Sequence, residues 1–211
     1  MLGISSNRYC TSDAACLRQA GYDFVIRYYS RTTHQPEKVI LIDEAKALSA
    51  AGLQLAVVYE DNADHAGYFN GAEGKKDGYY AYYYAQKLHQ PGGSAIYFAV
   101  DYDADAGEIS GRIQDYFQGV YQGFKDFSGG SPVYDVGVYG SGAVCNWLKT
   151  HLPFVKYGWL AESTGWLGSG SYNEWDVKQF VTNAKLCGLP PKGWEKCEAK
   201  DNFGQFKITA P

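Results

Sequence analysis

The chain has 211 residues, enough for one domain with a sizeable core, and it carries a net charge of −4 with its basic residues scattered. No Lys/Arg stripe tracks a phosphate backbone, so nucleic acid is not an expected partner. No apolar stretch approaches the roughly 20 residues that a membrane span takes, and Met1-Leu2-Gly3-Ile4-Ser5-Ser6 lacks the charged and apolar regions of a signal peptide.

Short apolar runs alternate with amphipathic segments. Residues 2–6 form a first strand, and residues 14–20 a helix that Gly21 stops. Residues 22–29 are a second strand. A helix over 43–51, with acids in its first turn and Gly52 at its end, leads into a third strand over 53–60. The next helix spans about 75–89. The fourth strand, Ser94-Ala-Ile-Tyr-Phe-Ala-Val-Asp-Tyr-Asp103, lies between the turn formers Pro91-Gly92-Gly93 and Ala104-Asp105-Ala106-Gly107. A long helix over 108–127 precedes a fifth strand over 135–139, and Gly140-Ser141-Gly142 opens a helix carrying Cys145 and Trp147. Residues 158–162, 175–181 and 203–208 are expected as strands six, seven and eight, with helices shrinking or vanishing after the sixth.

Repeated strand-helix units imply a parallel sheet with right-handed crossovers. About eight strands favour an α/β fold of the (β/α)8 TIM-like barrel type over an open sheet, as one domain over 1–211 with irregular or missing late helices. An open nucleotide-binding sheet is expected to show a Gly-x-Gly-x-x-Gly turn or a P-loop. Neither occurs, and no cofactor is expected.

Barrel sites lie at the C-terminal strand ends. Ser5 and Ser6, Arg27 and Tyr29, Glu60, Asp101 and Asp103, Tyr139 and Ser141, Glu162, and Gln179 occupy those ends here. Side chains at i and i+2 share a strand face, so Asp101 and Asp103 are expected to project together. Tyr and Trp offer flat faces with polar tips on which sugars stack, and the chain has 19 Tyr and 5 Trp. Tyr79, Tyr80, Tyr82, Tyr83 and Tyr84 sit in a helical segment and read as core and helix face.

Among five cysteines, Cys10 with Cys16 and Cys187 with Cys197 are close enough to close small loops, whereas Cys145 lies in a helical context. Two such disulfides indicate an oxidising compartment. The four histidines, His34, His65, His89 and His151, stand apart and no Cys-x-x-Cys occurs, so a zinc site is not expected.

Gly21-Tyr-Asp-Phe-Val-Ile-Arg-Tyr-Tyr29, Ala51-Gly-Leu-Gln-Leu-Ala-Val-Val-Tyr-Glu60, Ile96-Tyr-Phe-Ala-Val-Asp-Tyr-Asp103, Val136-Gly-Val-Tyr-Gly-Ser141 and Trp159-Leu-Ala-Glu-Ser163 resemble, in order, motifs of the glycoside-hydrolase-like TIM-barrel family known as domain of unknown function 1906. That family is related to the family 25 muramidases. The resemblance implies a glycan-directed barrel. In those muramidases an Asp-x-Glu motif ends the fourth strand and an Asp ends the first. Here Asp103 stands for the Glu, and Ser5 stands where an acid is expected.

Glycoside hydrolysis usually takes two carboxyl groups, one protonated and one ionised. On this reading Asp103 is the general acid, supported by Asp101, with Glu60 as base or nucleophile and Glu162 next in line. Tyr29, Arg27, Tyr139, Trp159, Trp166, Gln179 and Ser5 form the substrate groove. For Glu60 the structural alternative is an ion pair with Arg27 across neighbouring strands. For Trp166 and Trp175 the alternative is packing. The expected function is hydrolysis of a cell-wall polysaccharide such as peptidoglycan, outside the cytoplasm and by an export route the sequence does not display. The competing functions are a barrel that binds such a glycan without cutting it, which Ser5 favours, and a hydrolase holding Mg²⁺ or Ca²⁺ on Asp101, Asp103 and Glu60.

Overall fold

Eight short runs rich in β-branched and aromatic residues close on one another as a barrel in chain order: β1 (Leu2–Ser6), β2 (Phe24–Tyr29), β3 (Gln54–Tyr59), β4 (Ala95–Ala99), β5 (Asp135–Gly140), β6 (Val155–Leu160), β7 (Val177–Phe180) and β8 (Trp194–Ala199). The structure is a computed structural model that describes residues 1–180, 185–190 and 193–208. Strands β1 to β7 are parallel, and β8 runs antiparallel to both β7 and β1.

The parallel strands are joined over the outside by α1 (Ala14–Gln19), α2 (Ile42–Ala50), α3 (Gly71–Lys87), α4 (Ala106–Glu108), a wide turn (Ile109–Ile113), α5 (Gln114–Ser128) and α6 (Gly142–His151). Among the described residues no α-helix follows β6, in agreement with the late loss of helical pattern. Also among them, no helix is long and apolar enough to cross a membrane.

Local chemistry fixes the helix starts. Asn70 accepts from the Glu73 N–H at 2.9 Å to cap α3, Asp105 and Glu108 form a capping box, and Ser141 caps α6 by accepting from Val144 at 3.2 Å. Ser141 is therefore a helix cap and does not line the mouth. Helices α3 and α5 approach so closely that a Cβ on Gly74 or Gly78 would collide with the backbone of Tyr116 or Val120. Tyr82 is buried and Tyr79, Tyr80 and Tyr83 are exposed on the far face of α3, as expected.

The eighth strand was expected over 203–208, but β8 is Trp194–Ala199. The apolar segment around Phe203 and Phe206 instead closes the barrel bottom. The Phe203 ring lies 4.7 Å from that of Phe24, its carbonyl accepts from the Tyr97 hydroxyl at 2.7 Å, and Phe206 bridges to Leu55. In the seventh strand, Val181 falls outside the described residues.

Outward-facing strand residues pack under the helices, and Arg27 is the most demanding of them. It is 0% exposed, and its Nε and Nη2 donate to Glu44 Oε1 and Oε2 on α2 at 2.9 and 3.1 Å. Its remaining donors reach the carbonyls of Ser6, Glu37 and Lys38, while Glu44 also accepts from the Cys10 N–H at 2.8 Å. Arg27 is thus a structural cation between barrel and helix layer, with no access to the mouth. Tyr29, on the same outward face, is buried with its hydroxyl donating to Gln90 at 2.9 Å.

The disulfide also differs from expectation. Cys16 joins Cys187 across 171 residues, tying α1 to the segment before β8. Cys10, Cys145 and Cys197 are buried thiols. Neither local loop closes, because Cys10 and Cys197 turn into the core while Cys16 and Cys187 lie near the surface.

Breaking a buried ion pair from one side leaves an uncompensated charge, at a cost of roughly 3–5 kcal/mol. Glu44→Ala is therefore expected to lower the unfolding free energy by about that much in urea titration. A change below about 1 kcal/mol would show that Arg27 is held by the three carbonyls alone.

Candidate active site

Strand alternation turns one set of side chains into the barrel lumen. At the mouth Tyr28, Val58, Ala99, Tyr139, Trp159, Gln179 and Glu195, each from a different strand, line a cavity of about 290 Å³. Loop residues just beyond the strands complete it: Asn7, Lys38, Glu60, Asp101, Glu162, Ser163 and Trp166.

Of the expected site residues, Glu60, Asp101, Tyr139, Trp159, Glu162, Trp166 and Gln179 come together there. Ser5 lies beneath them, its hydroxyl donating to Glu195 Oε2 at 3.0 Å. Arg27 and Tyr29 do not take part, because their parity points them outward and Tyr28 between them faces in. Trp175 is also absent from the lining.

Asp103 is not brought beside Asp101. Strand β4 ends at Ala99, so the i and i+2 rule no longer governs the two acids. Asp101 turns into the cavity, whereas Asp103 is exposed and accepts from the Leu167 N–H at 2.7 Å, tethering the loop after β6. With Asp103 turned away, Asp101, Asp103 and Glu60 do not form a ligand set. Among the described residues no group of three His, Cys, Asp or Glu is placed to hold a metal ion.

Each mouth acid has its own setting. Glu60 pairs with Lys38, Nζ to Oε1 3.2 Å, and not with Arg27. The same Nζ stands 4.8 Å from the centre of the Tyr28 ring. Asp101 is reached by solvent through the mouth, yet the protein packed around its carboxyl strips much of its hydration. This desolvation, with the charge of Glu60 as a second cause, pushes it up to about 6. Tyr139 and Lys38 act in the opposite sense. Burial also raises the Glu195 carboxyl, as do the charges of Glu162 and Glu60, against the hydrogen bonds from Ser5 and Gln179. Tyr139 donates to Gln179 Oε1 at 2.9 Å and Ser5 to Glu195 Oε2 at 3.0 Å, and with Asp101 beside Tyr139 and Gln179 beside Glu195 the five line up as a polar chain across the lumen.

Three polar atoms of the lining are buried and have no hydrogen-bond partner among the described residues: Glu162 Oε2, Trp159 Nε1 and Asn7 Oδ1. Buried polar groups are nearly always paired, so the cavity presents two acceptors, one of them a carboxylate oxygen, and one indole donor to whatever enters it.

Sequence reasoning missed Tyr28, Lys38 and Glu195. Lys38 belongs to the loop after β2, whose course no pattern reveals. Glu195 was overlooked because β8 is antiparallel and brings its beginning, not its end, to the mouth. The available signal was the alternation Trp194-Glu195-Lys196-Cys197.

A protein-family profile described as Rv2525c-like, glycoside hydrolase-like domain, matches residues 15–210. Two uncharacterized proteins of Bacillus subtilis, YbfG and FadG, are 34% and 33% identical to the chain over 194 and 178 residues, covering 87% and 82% of it. The chain spans only 26% and 30% of their lengths. Among solved structures, the Tat-secreted protein Rv2525c of Mycobacterium tuberculosis, in complex with L-tartrate, superposes with a TM-score of 0.76 at 19% identity, over 97% of this chain and 98% of that one. A family 25 glycosyl hydrolase from Bacillus anthracis gives 0.58 at 10% identity, over 97% and 93%. At these identities the structural likeness is one of fold, and it matches the eight-stranded barrel expected from the sequence.

Asp101 titrates higher in the folded chain than the roughly 4 of an unfolded Asp. Its destabilising effect is therefore absent near pH 3, grows as pH rises through about 4 to 6, and is complete above that. Asp101→Asn is expected to stabilise the protein at pH 7.5 by about 1 kcal/mol, reduced from the full linkage value because solvent reaches the carboxyl. The gain should vanish at pH 3.5 in denaturant titrations at the two pH values.

Proposed function

The chain belongs to the Rv2525c-like family of glycoside-hydrolase-like domains, and from that premise we propose that its barrel mouth hydrolyses a glycosidic bond in a cell-wall polysaccharide, peptidoglycan being the first substrate to test. The observation that carries this reading is the pair Asp101 and Glu60, just beyond the ends of the neighbouring strands β4 and β3. One carboxyl is pushed up to about 6 and the other is paired with a lysine. A carboxyl that holds its proton near neutral pH suits protonation of the leaving oxygen, and one paired with a cation suits the ionised partner. Asp101 takes the acid role in this proposal in place of Asp103, whose carboxylate serves the loop at Leu167. Tyr28, Tyr139 and Trp166 supply flat faces for the sugar.

Family 25 glycosyl hydrolases among the fold neighbours support the reaction class. A modular autolysin, LytC of Streptococcus pneumoniae, was solved with a synthetic peptidoglycan ligand and shares the fold, with a TM-score of 0.55 at 17% identity. The Cys16–Cys187 disulfide and the Tat-secreted neighbour support action outside the cytoplasm.

Binding without cleavage is the second reading. Ser5 favours it, since a hydroxyl bound to Glu195 stands at the end of β1 where the muramidases carry an acid.

Release of reducing sugar from purified peptidoglycan separates the two. The native protein is expected to release product at a rate that falls above about pH 6 as Asp101 ionises. Asp101→Asn and Glu60→Gln are each expected to reduce the rate by about 10²-fold or more, and Asp103→Asn by less than about fivefold. Loss of activity in Asp103→Asn alone would return the acid role to that residue. Binding to peptidoglycan with no release by any of the four proteins would establish the second reading.

A further inference from the structure

We propose that the sugar unit seated in the mouth carries a free amine, and that Glu162 binds its ammonium group. This rests on the glycan-directed reading of the same cavity and specifies its substrate class. Among the described residues the lining holds four carboxyl groups, Glu60, Asp101, Glu162 and Glu195, and one cation, Lys38. That cation is committed, with Nζ at 3.2 Å from Glu60 and over the Tyr28 ring. Four carboxyl groups against one committed cation leave the cavity net negative even where Asp101 keeps its proton, which disfavours a sugar bearing a carboxylate and favours one bearing a positive charge.

Glu162 is the acid best placed to use that charge. Glu195 accepts from Ser5, and Asp101 lies against Tyr139 at the head of the polar chain. Glu162 Oε2 is buried with no donor among the described residues. An ammonium brings three donors and a full charge to such an oxygen, where a hydroxyl brings one neutral donor and an N-acetyl group one neutral amide donor beside a carbonyl acceptor and a methyl.

The indole of Trp159 is an independent pointer to a ligand. The residue is 1% exposed, it lines the cavity, and its Nε1–H has no acceptor among the described residues. An ammonium cannot accept from it, so the indole is assigned to a hydroxyl oxygen of the same sugar. An amino sugar with at least one free hydroxyl, as in the de-N-acetylated stretches of a glucosamine polymer, satisfies both groups and, unlike its N-acetylated counterpart, sets a positive charge against Glu162.

Calorimetric titration at pH 7 in about 0.1 M salt, with a glucosamine tetramer and its fully N-acetylated counterpart, tests the assignment. The deacetylated tetramer is expected to bind the native protein at least about tenfold more tightly. The preference should fall severalfold in Glu162→Gln and be largely kept in Glu162→Asp. The Trp159 indole N–H resonance should shift with the deacetylated tetramer, a readout on native protein that needs no variant to fold. Equal or tighter binding of the acetylated tetramer, no binding of either, or an unchanged preference in Glu162→Gln overturns the proposal. Mass spectrometry of the oligomers after titration separates the two hypotheses. A preference without cleavage counts only against hydrolysis, and cleavage with the opposite preference counts only against the amine.

Discussion

In a closed barrel every strand residue faces either the lumen or the surrounding helices, and a shift of one position exchanges the two. On β2 this constraint separates Arg27 and Tyr29, buried against α2 and Gln90, from Tyr28, which lines the mouth. It also brings residues from all the strands that reach the cavity to one level, since Tyr28, Val58, Ala99, Tyr139, Trp159 and Gln179 are lumen positions of successive strands. The residues that hold the fold and those that line the candidate site thus occupy opposite faces of the same strands. The buried Arg27–Glu44 pair holds the outer face, and the acids gather on the inner one.

The inner face gathers like charges that oppose one another. Asp101 and Glu195 are raised by loss of water and by neighbouring carboxylates, and each is steadied by hydroxyl or amide groups of the chain running from Ser5 to Tyr139. Such crowding has a cost in stability, and sites that hold a proton near neutral pH commonly carry it. The closed barrel floor at Phe24, Phe203 and Tyr97, together with the helix layer, supplies the compensating burial. Neither depends on the mouth residues.

The first seven strands were legible because turn formers and capping residues bound most of them and because their runs are too short and too rich in β-branched and aromatic residues to be helices. Legibility ended where that pattern did. The segment at Phe203 and Phe206 is apolar enough to pass for a strand yet serves as the floor, whereas β8, with Glu195, Lys196 and Glu198 among its six residues, looks too polar to be one. Glu60, Asp101, Glu162, Tyr139 and Gln179 could be placed from strand ends, and Trp159 and Trp166 from the aromatic faces a sugar groove needs. Asp103 could not, because the strand stops before it and alternation carries no information beyond Ala99. The Cys16–Cys187 bond was equally hidden, since sequence proximity favours short loops and this pair meets only through the closure of the barrel.

The proposed hydrolysis depends on Asp101 keeping its proton near neutral pH because of where it sits and what it faces. A ¹³C NMR titration of its side-chain carboxyl measures this directly, in the native protein and in Glu60→Gln. The expected result is a midpoint near 6 that moves down when the Glu60 charge is removed. A midpoint near the ordinary Asp value of about 4, unmoved by Glu60→Gln, would contradict it.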